Sequence, residues 1–151
     1  MGKAYVTHKH EASTTHYDFR LELDDKLASW AVPKGPSLDP SQKRLAIPTD
    51  DHPTSYKDYE GTIPEGQYGA GTVMAWDLGT YDDLKGSREE GHLAFTLHGE
   101  KLKGRWALHR FRGENWLFIK KDDEHADRDE DILKHDRSAK TGKTMREIRE
   151  S

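Results

Sequence analysis

Polar and apolar residues alternate strictly over residues 16–23, "HYDFRLEL", and this pattern constrains the fold more than any other feature of the sequence. A period of two is typical of a β-strand that places one face on the core. The polar face carries a histidine, an aspartate and an arginine, where an ordinary exposed strand carries Thr, Lys, Ser or Glu. Imidazole and carboxylate groups bind metal ions and guanidinium groups bind phosphate oxygens, so this strand is expected to carry chemistry.

Similar short segments recur through the first 121 residues, with glycine-rich and proline-rich turns between them. The segments "HYDFRLELDDKLASWAVP", "TVMAWDLGTYDDL" and "HLAFTLHGEKLKGRWALHRF" each predict a β-hairpin, and "NWLFIKK" ends the β pattern. No segment of this region has a convincing helical period. The sequence therefore predicts an all-β domain over residues 1–121, as a compact β-barrel or a sandwich. The polar face of "HYDFRLEL" would line a groove or the lumen, and the reverse orientation stays open.

Residues 122–151 differ in character, because few apolar residues interrupt their charged side chains. This composition predicts a charged C-terminal tail that is partly disordered or forms a short helix near "KTMREIRE".

Composition excludes several classes of protein. The chain has 151 residues, which suits one domain, and it has no cysteine, so disulfide scaffolds, cysteine-zinc sites and thiol nucleophiles are excluded. No run approaches the roughly 20 apolar residues of a membrane span, and the first residues lack a secretory h-region. A cytoplasmic protein without membrane contact is expected. The net charge of −4 favours a local basic site over a basic coat for nucleic acid.

Several candidate ligands lie on or near the alternating strand. Side chains two residues apart on a strand share a face at a separation of about 7 Å, so His16 and Asp18 can reach one ligand and Arg20 extends the row. His10 lies six residues upstream, and His52 lies in the turn "DDHP". Two histidines and a carboxylate suit Mn, Zn, Fe or Co. A single histidine on a strand is more often structural, but the density of these residues favours a site.

Two chemistries fit this group of residues. In one, a metal ion and cationic side chains hold a phosphoryl group and stabilise its oxygens, which would use Arg20, Arg44 and Lys34 together. In the other, "HYD" and a distant histidine form the facial triad of a non-haem iron(II) oxygenase. The oxygenase would use at most one of these three cations.

Three long blocks of the sequence closely resemble the 3′-phosphoesterase domain family, which occurs as a module of bacterial DNA ligase D and as free-standing proteins. The blocks are "HKHEASTTHYDFRLELDDKLASWAVPKGPSLDPSQKRLAI", "DHPTSYKDYEGTIPEGQYGAGTVMAWDLGTY" and "GHLAFTLHGEKLKGRWALHRF". The resemblance implies a compact β-barrel with a polar active-site groove and a divalent metal, manganese first and zinc or cobalt as alternatives. It implies removal of a 3′-terminal ribonucleoside, and of a 3′-phosphate, from DNA or RNA to leave a 3′-OH.

The resemblance also implies a role for individual residues. The expected metal ligands are His10, Asp18 and His52. The expected catalytic residues are His16, Arg20 and Arg44, and the expected phosphate-binding residues are Lys34, Tyr56 and His8. At His8 relatives often carry glutamine.

The expected partners are nucleic acid 3′ ends, such as a DNA or RNA primer–template, together with a separate DNA ligase and end-joining factors. The expected protein is a free-standing monomer. Besides the oxygenase, a non-catalytic module that binds strand ends is an alternative.

Overall fold

The computed structural model describes residues 2–151, and its nine strands form one antiparallel sheet that closes on itself. The strand order is β1-β2-β3-β4-β9-β8-β7-β6, and β6 pairs with β1 to complete an eight-stranded barrel. The short β5 pairs with β6 beside the barrel. The strands are β1 (Lys3–Glu11), β2 (Thr15–Leu23), β3 (Lys26–Val32), β4 (Arg44–Pro53), β5 (Gly61–Ile63), β6 (Gly71–Ser87), β7 (His92–Gly99), β8 (Lys103–Arg112) and β9 (Asn115–Lys120). The prediction of an all-β barrel is confirmed.

Aromatic side chains fill the inside of the barrel. The ring of Phe19 lies 4.4 Å from that of Phe118 and 5.7 Å from that of Phe95, between centroids. The buried cluster around them takes side chains from all eight barrel strands, so it lies inside the closed sheet. Since neighbouring residues of a strand point to opposite faces, Asp18 and Arg20 lie on the outer face of β2. The polar face of "HYDFRLEL" therefore lines a groove and not the lumen.

The hairpin predicted for "TVMAWDLGTYDDL" is wrong, because this segment belongs to the single 17-residue strand β6. One edge of β6 pairs with β1, and its other edge pairs first with β5 and then with β7. The glycine and aspartates that suggested a turn lie within this strand. Gly79 lets β7 approach, because a Cβ there would overlap the backbone oxygen of His98. Asp83 has a φ of 55° at an irregularity in the pairing of β6 with β7.

The C-terminal segment packs against the barrel, which differs from the expectation of a partly disordered tail. Its apolar side chains Ile132, Met145 and Ile148 are buried in the core cluster. The Trp76 indole Nε1 donates to the backbone oxygen of His135 at 2.6 Å. The short helix expected near "KTMREIRE" is α1 (Met145–Arg149), and a capping box between Thr144 and Glu147 begins it. These three residues, with the partly buried Leu133, thus dock a segment whose composition is mostly charged.

Two 3₁₀ helices, Thr54–Asp58 and Ile132–Lys134, complete the secondary structure of the described chain. Within residues 2–151, no helix has the length and apolar character that crossing a bilayer requires.

Candidate active site

A cavity of about 240 Å³ lies on the outer face of the barrel, over β1, β2, β3 and β4. The 3₁₀ helix Thr54–Asp58 and the loop of residues 64–70 border it. Its lining residues are His10, His16, Asp18, Arg20, Ala31, Thr49, His52, Tyr56, Tyr68, Gly69 and Val73. Six of the nine predicted site residues therefore line one cavity, namely His10, His16, Asp18, Arg20, His52 and Tyr56.

His10, His16 and Asp18 converge within this cavity. His10 and His16 are direct cross-strand partners on β1 and β2, and Asp18 follows on the same face of β2. One potential ligand atom from each of the three residues lies within 4.8 Å of the other two. We call His10, His16 and Asp18 the metal trio. Two imidazole nitrogens and a carboxylate oxygen at this separation fit a divalent ion such as Mn²⁺ or Zn²⁺.

Hydrogen bonds orient two of these side chains. His16 Nε2 lies 3.3 Å from Asp18 Oδ1. His10 Nε2 lies 3.1 Å from the backbone oxygen of Ala70, and because a carbonyl only accepts, this nitrogen carries the proton. The lone pair of a neutral His10 is then on Nδ1, and a backbone partner of this kind fixes the tautomer of many metal-binding histidines.

The structure groups His16, and not His52, with His10 and Asp18. His52 lines the same cavity, but its Nδ1 lies 3.1 Å from Arg20 Nη1. Spacing along β2 already indicated that His16 and Asp18 can reach one ligand, and the register between β1 and β2 adds His10 opposite His16. The ligand set implied by the resemblance and the metal trio thus share His10 and Asp18, and they differ in the second histidine.

Arg20 is buried at the base of the cavity, and neighbouring side chains hold its guanidinium in place. Its Nε donates to His8 Nδ1 at 3.0 Å, and its Nη1 donates to Ser29 Oγ at 2.8 Å. Nη2 lies 3.4 Å from Asp18 Oδ2, and Nη1 also contacts His52. These contacts use four of the five N–H groups of a guanidinium and leave one on Nη2. Arg20 therefore supplies a fixed positive charge with a remaining donor.

Burial and the charge of Arg20 together set the protonation of the histidines around it. Burial, then the Arg20 charge, lowers the pKa of His8 to about 3, so this ring is neutral. The same two causes lower the pKa of His52. The hydrogen bond to Asp18 raises the pKa of His16. Burial opposes ionisation of Asp18, but the hydrogen bond from His16 and the Arg20 charge outweigh it and lower the pKa of that carboxyl.

Tyr56 lies in a stack of rings at one side of the cavity. Its centroid is 4.8 Å from that of His52 and 5.1 Å from that of Tyr59. The ring of His8 lies 5.1 Å away, and the Arg20 guanidinium carbon lies 5.2 Å from the Tyr56 centroid. Tyr56 is thus packed against the groups that hold Arg20.

Three residues with predicted roles lie outside this cavity. His8 is fully buried behind Arg20 and contacts that guanidinium. Lys34 is exposed in the loop after β3, and Arg44 lines a second cavity beside residues 128–132 of the C-terminal segment. The phosphate-binding and catalytic roles of Lys34 and Arg44 stay predictions.

Tyr68 lines the cavity and was missed by the sequence analysis. It is the one aromatic residue of the glycine-rich segment "GTIPEGQYGAG", and that isolation was the only signal.

Comparison with known proteins shows the family of this chain. Residues 8–110 match the model of the DNA ligase D 3′-phosphoesterase domain. The chain is 55% identical over 129 residues to the multifunctional non-homologous end joining protein LigD of Pseudomonas aeruginosa, which covers 81% of this chain and 15% of that protein. It is 48% identical over 118 residues to the multifunctional non-homologous end joining DNA repair protein LigD of Mycobacterium tuberculosis, or 77% of this chain and 16% of that protein.

The LigD of Mycolicibacterium smegmatis is 42% identical over 137 residues, which cover 85% of this chain and 18% of that protein. The chain thus spans less than a fifth of the length of these curated relatives. The matched range of the domain model includes the metal trio and Arg20. This chain belongs to the DNA ligase D 3′-phosphoesterase domain family.

Proposed function

We propose that this protein is a metal-dependent phosphoesterase that processes the 3′ ends of nucleic acid strands. It removes a 3′-terminal ribonucleoside, a 3′-phosphate, or both, and leaves a 3′-OH. The observation that carries the proposal is the convergence of His10, His16 and Asp18 beside the fixed guanidinium of Arg20 in one cavity. Membership of the 3′-phosphoesterase domain family supports the choice of a strand end as substrate.

His10, His16 and Asp18 are the residues that would hold the divalent ion. Manganese is the ion we expect, because the mixed nitrogen and oxygen ligands suit it and the family resemblance implies it. When bound, such an ion acts as a Lewis acid that polarises a phosphoryl oxygen and lowers the pKa of a bound water.

Arg20 is the residue we expect to bind a non-bridging oxygen of the scissile phosphate. Its remaining Nη2 donor belongs to a group that lines the cavity, and its other donors are held by His8, Ser29, His52 and Asp18. A donor that is already oriented stabilises the charge that develops on phosphoryl oxygens without reorganisation during the reaction.

His52 is the residue we expect to place a proton near the leaving group. Nδ1 of His52 lies 3.1 Å from Arg20 Nη1, which only donates, and 3.1 Å from the backbone oxygen of Asp50, which only accepts. The tautomer that accepts from Arg20 carries its proton on Nε2, and this is the tautomer we propose for the reaction. An Nε2–H in the cavity can donate a hydrogen bond to an ester oxygen as that oxygen gains charge. The proposal thus gives the two histidines different roles, with His16 as a metal ligand and His52 as the proton donor.

The product supports an end-joining setting. A strand end with a 3′-OH is what a ligase or polymerase needs, and the names of the relatives place them in non-homologous end joining. A separate ligase that uses the product is therefore the partner we propose.

A labelled primer assay tests the proposed function. Primers that end in a 3′-phosphate or in one ribonucleotide are incubated with the purified protein, with Mn²⁺ or with a chelator. We expect 3′-OH products with Mn²⁺ only, and we expect His10→Ala and Asp18→Asn to abolish them. His98→Ala is the matched control, because His98 also pairs with a carboxylate, Asp82, but is exposed on β7 outside the cavity. Binding of the primer without any turnover under these conditions would instead indicate a module that only binds ends.

A further inference from the structure

Tyr68 combines two properties that no other aromatic residue of the described chain combines. It lines the cavity that holds the metal trio, and its side chain is 85% exposed. The next most exposed large apolar side chain in residues 2–151, Phe111, is 49% exposed and lies on β8, outside that cavity. An exposed aromatic ring at the edge of a polar cavity offers a face on which a nucleic acid base can stack.

The loop that carries Tyr68 is docked onto the barrel. Two turns shape it, with the Gln67 amide donating to the Pro64 oxygen at 3.3 Å and the Ala70 amide donating to the Gln67 oxygen at 3.1 Å. The oxygen of Ala70 accepts from His10 Nε2. Gly71 ends the loop at a φ of 126°, and a Cβ there would collide with the backbone oxygen of Glu11. The loop that carries Tyr68 is therefore anchored to His10, a residue of the metal trio, two residues after the tyrosine.

The two tyrosines of the cavity differ in what their rings contact. Tyr56 is packed against the rings of His52, Tyr59 and His8. Tyr68 stacks on no ring in the part of the chain that the structure describes, and its faces are open to solvent. Of the two rings, only that of Tyr68 can accept a flat ligand without displacing a neighbour.

We propose that Tyr68 is the stacking platform for the base of the nucleotide that carries the scissile 3′-phosphate. This inference rests on the proposed function, because it assumes that a strand end occupies the cavity. One sugar ring separates a 3′-phosphate from its base, and Arg20 and Tyr68 line the same cavity, so a phosphate bound by Arg20 leaves Tyr68 available to the base. An aromatic ring stacks on any of the four bases, so Tyr68 selects ends that carry a base without selecting a sequence.

Steady-state kinetics test the role of the Tyr68 ring. The two substrates are an oligonucleotide with a 3′-phosphate on a normal terminal nucleotide and the same strand with an abasic terminal sugar. We expect Tyr68→Ala to raise KM for the normal end about 5- to 150-fold with little change in kcat, as the loss of one base-stacking contact does. KM for the abasic end should stay unchanged. Tyr68→Phe and Tyr68→Trp should behave as the unaltered protein.

Phe111→Ala is the matched control, since it removes an exposed aromatic ring outside the cavity. An equal effect of Tyr68→Ala on both ends would overturn the proposal. So would a loss with Tyr68→Phe as large as with Tyr68→Ala, because that result would assign the role to the hydroxyl.

A binding measurement separates this inference from the proposed function. A strand with 2-aminopurine as its 3′-terminal base is titrated with the protein in chelator, where no turnover is expected. Stacking quenches the fluorescence, and we expect quenching by the unaltered protein and by Phe111→Ala but not by Tyr68→Ala. Quenching without turnover in Mn²⁺ would contradict the proposed function alone. Turnover without any quenching that depends on Tyr68 would contradict the stacking role alone.

Discussion

His10 and His16 face each other directly across β1 and β2, with their ring centroids 4.9 Å apart. This pairing depends on the register of the β1–β2 hairpin, because a shift by one residue would send one imidazole to the opposite face of the sheet. The turn between them, residues 12–14, is short, so the chain has little freedom to change that register. A metal site is thereby formed by the same pairing that closes this part of the barrel.

Substitution of His16 and of His52 should have different effects on metal binding. His16→Ala should weaken Mn²⁺ binding by more than about 10-fold, because even the loss of a residue that only hydrogen-bonds to a metal ligand weakens metal binding by about that much. His52→Ala should bind Mn²⁺ like the unaltered protein but lose turnover, because His52 contacts Arg20 and not the trio. Calorimetric titration with Mn²⁺ measures both affinities. Weak binding by His52→Ala with normal binding by His16→Ala would favour the ligand set expected from the sequence.

Arg20 should not tolerate lysine. An ammonium group lacks the planar fork that bonds His8, Ser29 and Asp18 together, so Arg20→Lys would leave buried acceptors without donors. We expect turnover of a 3′-phosphate primer to fall about 100-fold or more, the usual effect of losing an oriented donor at a reacting oxygen. Primer kinetics and a thermal melt check this result. Near-normal turnover by a folded Arg20→Lys protein would contradict the role given to the fork.

His8 should be replaceable by glutamine but not by alanine. The Nδ1 of His8 accepts the Nε–H of Arg20 in a fully buried position, and a glutamine oxygen can accept the same bond. His8→Ala leaves that donor unpaired and should lower the free energy of unfolding by about 1–3 kcal/mol. Urea denaturation of both variants measures the difference. If the two variants lost stability equally, packing rather than the hydrogen bond would explain the role of His8.

The sequence predicted those parts of the molecule that depend on local pattern. The alternation over residues 16–23 correctly placed Asp18 and Arg20 on one strand face, opposite Phe19 and the core. It did not predict the cross-strand partner of His16, because register depends on pairing between distant residues. The long strand β6 was also missed, since its internal glycine and aspartates resemble a turn until two neighbouring strands pair with them.

Exposure is a second property that pattern does not predict. A tyrosine between glycines is equally consistent with a packed loop and with a ring open to solvent. Only the positions of residues 64–70 on β1 and β6 show that Tyr68 lies at the cavity. The C-terminal segment is a similar case. Ile132, Leu133, Met145 and Ile148 are widely spaced among charged residues, and this pattern did not predict that they pack on the barrel.

Removal of one buried side chain from the C-terminal helix should destabilise the whole domain. Ile148 is 4% exposed within the core cluster, and Ile148→Ala should lower the free energy of unfolding by about 2–5 kcal/mol, as truncation of a buried isoleucine does. Arg146→Ala, on the exposed face of the same helix, is the matched control and should have little effect. Denaturant unfolding measures both. An unchanged midpoint for Ile148→Ala would mean that the segment does not pack on the barrel in solution.

Asp123 should stabilise the fold at neutral pH and lose that effect in acid. Burial opposes its ionisation, but hydrogen bonds from Lys120 and from the Arg105 and His125 amides outweigh it and lower the pKa of Asp123 to about 2. A carboxyl whose pKa is lower in the folded state than in the unfolded state stabilises the fold above the unfolded value, near 3.8. The stabilisation falls as the pH drops from about 4 towards 2, where the folded state is protonated too.

The matched variant for this test is Asp123→Asn, which keeps the shape of the side chain and removes its charge. We expect the unaltered protein to unfold at a higher urea concentration than Asp123→Asn at pH 7, and the gap to narrow steadily below about pH 4. Lys120 is fully buried, so the variant also leaves its ammonium group without a charged partner at neutral pH. A gap that stays constant from pH 7 to pH 2 would show that the carboxylate contributes through shape and hydrogen bonding rather than through its charge.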